Sequence, residues 1–97
     1  MDFLSFLQRA VTPFHAVQAG EEMLHEAGFT ELDLRAPWRL QPGRSYMTRV
    51  FDSTLVAFRI GEEPRAHLHV ATAHTDFPCL RVKPSALVAT TGYGTLN

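Results

Sequence analysis

The segment from Ala71 to Pro84, ATAHTDFPCLRVKP, holds the residue types of this chain best suited to chemistry. An apolar run ends at His74, and Thr75, Asp76, Phe77 and Pro78 follow. A neutral imidazole can donate a nitrogen lone pair to zinc at about 2.0–2.1 Å. A carboxylate close by can accept the other ring N–H, which fixes the tautomer and raises the basicity of the ligand. His-x-Asp directly after a strand supplies both groups from one turn. His74 is then a candidate metal ligand, Asp76 its orienter, and Pro78 a brace for the turn that presents them. Loops at the carboxyl ends of strands are where open α/β sheets bind their ligands. Taken alone, such a triplet is a common coincidence, and a solitary His more often caps or packs than ligates.

Other reactive residue types have plainer readings. His67 and His69 stand two apart on one strand face, a spacing that could hold zinc, but an internal strand would bury them as structural residues. His15, in the first turn of a helix, suits packing or hydrogen bonding at the helix N-terminus, with an assembly contact as the other reading. Cys79 has no recognisable Cys-His partner and reads as a small buried hydrophobe. Glu62-Glu63 reads as a solvated turn rather than an acid–base pair. Arg81 and Lys83 alternate on a short strand, which leaves at least one facing solvent. Trp38, beside Pro37, reads as a core plug.

The elements that must position His74 can be read from periodicity and punctuation. Residues 2–11 place Phe3, Leu4, Leu7 and Val11 at helical spacing, with Phe6 beside them. Thr12 is a capping residue and Pro13 suits a first helical turn, where its missing N–H costs nothing. A second helix over 14–27 carries Phe14, Val17, Leu24 and Ala27 on one side and stops at Gly28, with Phe29 covering its end. Pro37, Pro42 and Gly43 break any pattern over 30–44. Strands are predicted over 45–51, 54–60 and 66–73, the first two as a hairpin across Asp52-Ser53, the third ahead of His74. A fourth short strand is expected over 80–82, ended by Pro84. The last thirteen residues, with Gly92 and Gly94, show no strong period. Two helices followed by a mixed β-sheet make an α/β arrangement that is incomplete as a domain, since such a sheet needs helices on both faces.

Bulk properties narrow the function classes. The 97 residues carry nine Lys and Arg against ten Asp and Glu, a net charge of -1, so the chain presents no electrostatic footprint for nucleic acid or an anionic membrane. The composition, 45% hydrophobic and 20% charged, is that of a soluble protein, and no run approaches a membrane-spanning length. A single cysteine excludes an intrachain disulfide. With no signal-like N-terminus, the expectation is a cytoplasmic protein.

Beyond these readings, the chain resembles a known family. Ala73-His74-Thr75-Asp76, then Pro78 and Leu80-Arg81-Val82-Lys83-Pro84, resembles the AHTDSPxLRVKP signature of the aspartyl aminopeptidases. Thr12-Pro13-Phe14-His15-Ala16-Val17 is similar to their TPFHAV segment. Ala27-Gly28-Phe29, Pro37-Trp38-Arg39-Leu40, Pro42-Gly43 and Tyr46-Met47-Thr48-Arg49 lie between these in the family's order.

The resemblance implies a phosphorylase/hydrolase-like zinc-peptidase fold, with residues 1–97 as the N-terminal portion of its catalytic domain. Residues from about 85 to 97 would lead toward a dimerisation domain. It further implies a metallo-aminopeptidase that releases N-terminal Asp or Glu from peptides, working with two zinc ions in a homo-oligomer. His74 corresponds to the first histidine ligand and Asp76 to the aspartate that orients it. The family's remaining ligands and its general-base Glu fall beyond residue 97, so the chain by itself is expected to be inactive. A non-catalytic assembly or regulatory fragment of the same family is the alternative. Phe77 departs from the signature, standing where the family has Ser.

Overall fold

The computed structural model describes residues 1–63, 67–85, 87–90 and 92–96. The first helix, α1 (Phe3–Arg9), starts at Asp2, whose side chain accepts the Ser5 backbone N–H at 2.7 Å. An acid just ahead of an apolar helical repeat is a start signal that local sequence carries. The second, α2 (Pro13–Glu26), starts as expected at Thr12, which accepts the His15 N–H, with Pro13 in the first turn. It ends in two reciprocal bonds, from Phe29 N–H to the Leu24 carbonyl and from Gly28 N–H to the His25 carbonyl. Gly28 sits at φ 85°, a conformation strained for any residue with a side chain, and the two bonds satisfy carbonyls that the helix itself leaves open.

Three strands form the main sheet in the order β1 (Thr30–Glu31), β2 (Ser45–Val50) and β3 (Thr54–Arg59). β1 runs parallel to β2, pairing Thr30 with Tyr46, and is too short for any sequence pattern to reveal. β2 and β3 form the expected hairpin, in register from Ser45↔Arg59 to Val50↔Thr54. The sheet is therefore mixed, as expected for two helices leading into an α/β sheet. Leu32 N–H donates to the Met47 carbonyl at 2.8 Å, and the Thr48 hydroxyl donates to the Leu32 carbonyl at 2.9 Å. These two bonds tie the chain leaving β1 to the centre of β2.

The core is small and sits between α2 and β2–β3. Among the described residues, Ala10, Val17, Ala19, Tyr46 and Met47 are the buried apolar side chains, with Thr48 buried beside them. The buried positions of α2 are Val17 and Ala19, while Phe14 is 59% exposed. Gly20 lets α2 lie close on β3, since a Cβ there would stand only 3.0 Å from Leu55 Cδ2. In α1, Phe6 is half-buried and Phe3, Leu4 and Leu7 remain exposed, as does Val11 beyond its end. Trp38 is 42% exposed rather than a core plug. Its indole N–H donates to the Asp33 carbonyl, and its ring lies 6.1 Å from that of Phe58.

Two predicted strands are absent. Residues 67–74 and 80–82 have no regular secondary structure, and Ala66, the first residue of the third predicted strand, lies outside the described residues. Leu68 is 88% exposed, Val70 73% and Leu80 102%. Alternating apolar residues state a readiness to form a strand, but a strand exists only where a neighbour takes up its N–H and C=O groups. None of the described residues does so here. A hairpin that the glycine pattern did not reveal forms instead, between β4 (Leu87–Thr90) and β5 (Tyr93–Leu96), with Gly92 at φ 81° in the connection. The radius of gyration is 19.4 Å, well above the roughly 13 Å of a compact domain of this length.

Two stability predictions follow from this arrangement. Met47, with no exposed surface, fills the centre of a core of five apolar side chains. Met47→Ala should therefore destabilise the fold by about 2–5 kcal/mol, read from the urea midpoint. Asp2 has its carboxyl held below the ordinary 3.8, first by the Ser5 backbone N–H. A depressed folded-state pKa means that the cap is fully effective above the unfolded value and is lost as pH falls through the lower folded value. The Ser5 amide signal should report fraying of α1 below about pH 4. α2, capped by the neutral Thr12 hydroxyl, should not follow it.

Candidate metal-binding turn

β2 and β3 are joined by Phe51, Asp52 and Ser53, and Phe51 (φ 50°) and Asp52 (φ 57°) both occupy the left-handed region. Asp tolerates that conformation better than most residues, whereas Phe does not. The ladder that closes at Val50↔Thr54 holds the connection in place. So does Arg49, whose guanidinium meets Asp52 at 3.2 Å and Glu21 of α2 at 3.2 Å.

Against this connection lies the turn that carries His74. The Thr75 hydroxyl donates to the Ser53 carbonyl at 3.2 Å, and Thr75 forms a bend. On either side of the bend, His74 Nδ1 and Asp76 Oδ1 approach to 3.2 Å. An ionised carboxylate only accepts, so Nδ1 carries the proton in this contact. In neutral His74, Nε2 is left with its lone pair free, the form a metal requires. Both side chains are open to solvent, 77% exposed for His74 and 70% for Asp76.

His74 and Asp76 border two depressions. One, of about 340 Å³, is apolar and includes Phe6, Val17, Gly20, Leu55 and Phe77. The other, of about 450 Å³, is lined by the turn itself together with Pro78, Cys79 and Arg81. Phe77 belongs to both. The ring found where the family signature has Ser thus walls the pocket beside Asp76.

The remaining candidates lie apart from this turn in role or in setting. His67 and His69 are exposed, not covered by a helix, because the strand expected to bury them does not form. Cys79 is exposed rather than a buried hydrophobe. His15 makes the hydrogen bonding expected at a helix N-terminus: its Nδ1 lies 2.8 Å from the Thr12 hydroxyl. Glu62 and Glu63 are exposed, as a solvated turn requires. Nothing in the local sequence marks the contact between Thr75 and Ser53, which joins residues 22 positions apart.

Among the described residues, no cluster of three or more His, Cys, Asp or Glu side chains could hold a metal ion. His74 fits zinc as one donor, with Asp76 suited to orient it, and a tetrahedral site would draw its other ligands from elsewhere. No described helix is long and apolar enough to cross a membrane.

Known proteins place this turn in a wider setting. The chain is 42% identical over 92 residues to the probable M18 family aminopeptidase 2 of Ectopseudomonas mendocina, covering 93% of this chain and 21% of that protein. It is 44% identical over 88 residues to the aspartyl aminopeptidase of Aspergillus oryzae, covering 87% of this chain and 18% of that one. The aspartyl aminopeptidase of Caenorhabditis elegans is 42% identical over 85 residues, covering 86% and 18%. The chain thus spans about a fifth of the length of the curated relatives it matches. A cryo-EM structure of the Ape4 and Nbr1 complex contains a chain that superposes with a TM-score of 0.79 at 35% identity. That match covers 98% of this chain and 19% of the other. The family model for the aminopeptidase I zinc metalloproteases matches residues 6–97, and the chain belongs to that family, M18.

Proposed function

We propose that the chain is the N-terminal portion of the catalytic domain of a cytoplasmic, homo-oligomeric zinc aminopeptidase that releases N-terminal Asp or Glu from peptides. The supporting observation is the His74–Asp76 pair, 3.2 Å apart and open to two depressions, within a chain of the M18 family. Relatives named aspartyl aminopeptidase support the acidic preference. Residues from about 85 onward, which include the β4–β5 hairpin, lead on this reading toward a dimerisation domain. The exposed apolar side chains of Leu68, Val70, Leu80 and Val82 take up packing positions in the larger catalytic body.

Zinc bound here would polarise a scissile carbonyl and lower the pKa of a bound water. Each residue of this chain has a narrower task. Asp76 accepts the Nδ1 proton and so keeps it off Nε2. His74 offers the Nε2 lone pair toward the open side of the turn. Pro78 limits the backbone freedom of the residues that follow. Phe77 narrows the space beside Asp76. The remaining ligands and the base that takes the water's proton come from outside the described residues.

Metal content of the full gene product tests this reading. His74→Ala should lose zinc, and Asp76→Ala should bind it about 10–100-fold more weakly, the usual loss when the orienting partner of a ligand is removed. Unchanged zinc affinity in His74→Ala would refute the assignment. The purified 97-residue chain should release no acidic residue from an aspartyl peptide, and measurable turnover would show that the catalytic set is complete without further ligands.

A further inference from the structure

The His74–Asp76 contact cannot hold itself in place. Exposed ion pairs and hydrogen bonds of this kind contribute little, no more than the entropy lost in ordering two freely rotating side chains. With both groups roughly three-quarters exposed, neither is locked by packing. The geometry must therefore be imposed through the backbone between them.

Among the described residues, that backbone is tied to the rest of the chain by one hydrogen bond. Among the described residues 67–85, Thr75 is half-buried and every other residue is exposed. Its hydroxyl reaches the Ser53 carbonyl at 3.2 Å, across 22 positions of sequence. The acceptor is itself fixed, because Ser53 follows two residues in left-handed conformation and precedes the first rung of the β2–β3 ladder. In a straight strand, residues two apart are separated by about 6.6–6.8 Å along the chain, so a contact between their side-chain tips has to be chosen from many rotamer pairs. The bend at Thr75 shortens that separation and turns His74 and Asp76 toward each other.

We propose that Thr75 is a positioning residue for the metal-ligand turn. Its hydroxyl, bound to the Ser53 carbonyl, pins the apex of the bend to the β2–β3 connection, and this holds Asp76 against Nδ1 of His74. The proposal rests on His74 acting as the ligand, and it names the residue that sets the imidazole tautomer from behind. Thr75 touches neither metal nor substrate; it acts through the backbone. Thr75 also lines the apolar depression, so the hydroxyl has to be separated from the packing. Thr75→Val keeps the shape and loses the donor, whereas Thr75→Ser keeps the donor and loses the methyl.

The readout is the tautomer of His74 in the 97-residue chain, measured by long-range proton–nitrogen NMR of the ring at a pH above the imidazole range. The unmodified chain should show the proton mainly on Nδ1. Thr75→Val should lower the ratio of Nδ1–H to Nε2–H at least twofold, with the amide signals of α2 and β2 unchanged, and Thr75→Ser should restore the ratio. A ratio in Thr75→Val equal to that of the unmodified chain would overturn the proposal, as would an equal fall in Thr75→Ser. Loss of the α2 and β2 signals would also overturn it, by making Thr75 a residue of general stability. The tautomer is read without metal, so this outcome is independent of whether His74→Ala changes zinc content in the full gene product.

Discussion

β2 is the strand on which the molecule depends, because among the described strands it alone is paired on both edges. Buried peptide groups must find partners, and a strand with both edges satisfied can be buried on its faces at no cost in unpaired donors. Tyr46, Met47 and Thr48 are accordingly the buried run of the sheet. α2 lies against this strand and β3, and the chain leaving β1 is hydrogen-bonded to it. The turn bearing His74 is reached through the same strand, by way of the connection to β3 and the Ser53 carbonyl. A disturbance in β2 would thus be felt at a side chain that never touches it.

The site shows how a small scaffold divides labour between strong and weak interactions. Five buried apolar side chains supply most of the cohesion, at about 1.5–3 kcal/mol for each large one. The ion pairs from Arg9 to Glu22 and from Arg49 to Glu21 and Asp52 add orientation more than energy, since their basic partners are over 40% exposed. The Thr75–Ser53 bond belongs with these in strength but differs in consequence. A single hydrogen bond worth about 1 kcal/mol can select one conformer of a short turn even where it adds little to folding. Selection of a conformer is what a metal ligand needs, because a donor atom misplaced by about 1 Å loses its bond.

Membership of the M18 family gives this turn its meaning, and the chain accounts for about a fifth of the length of the relatives it matches. The turn presents one imidazole with a carboxylate 3.2 Å from its Nδ1, and no cluster of three or more possible ligands is found among the described residues. Phe77 is the local departure from the signature, and it lies in the wall of both depressions beside the turn. A ring in place of a hydroxyl leaves the His74–Asp76 contact intact and makes the adjoining surface more apolar.

Sequence alone determined what is local. The Thr12 cap, Pro13 in the first turn, the stop at Gly28 and the hairpin about Asp52-Ser53 all depend on neighbours within a few positions, so residue type was enough to locate them. The contact between His74 and Asp76 was legible for the same reason, its partners being two apart. Tertiary structure decided whatever required a distant partner. The apolar alternation through Leu68 and Val70 did not become a strand, for lack of a neighbouring edge. Two-residue β1 found its place only against Tyr46 and Met47. Val17 and Ala19, rather than Phe14, were buried, because what packs against α2, Leu55 of β3 included, decides which helix positions are covered. The support of the His74 turn by Ser53 belongs to this second class. A hydrogen bond between residues far apart in sequence leaves no periodic trace, since its geometry exists only after the strands that carry it have paired.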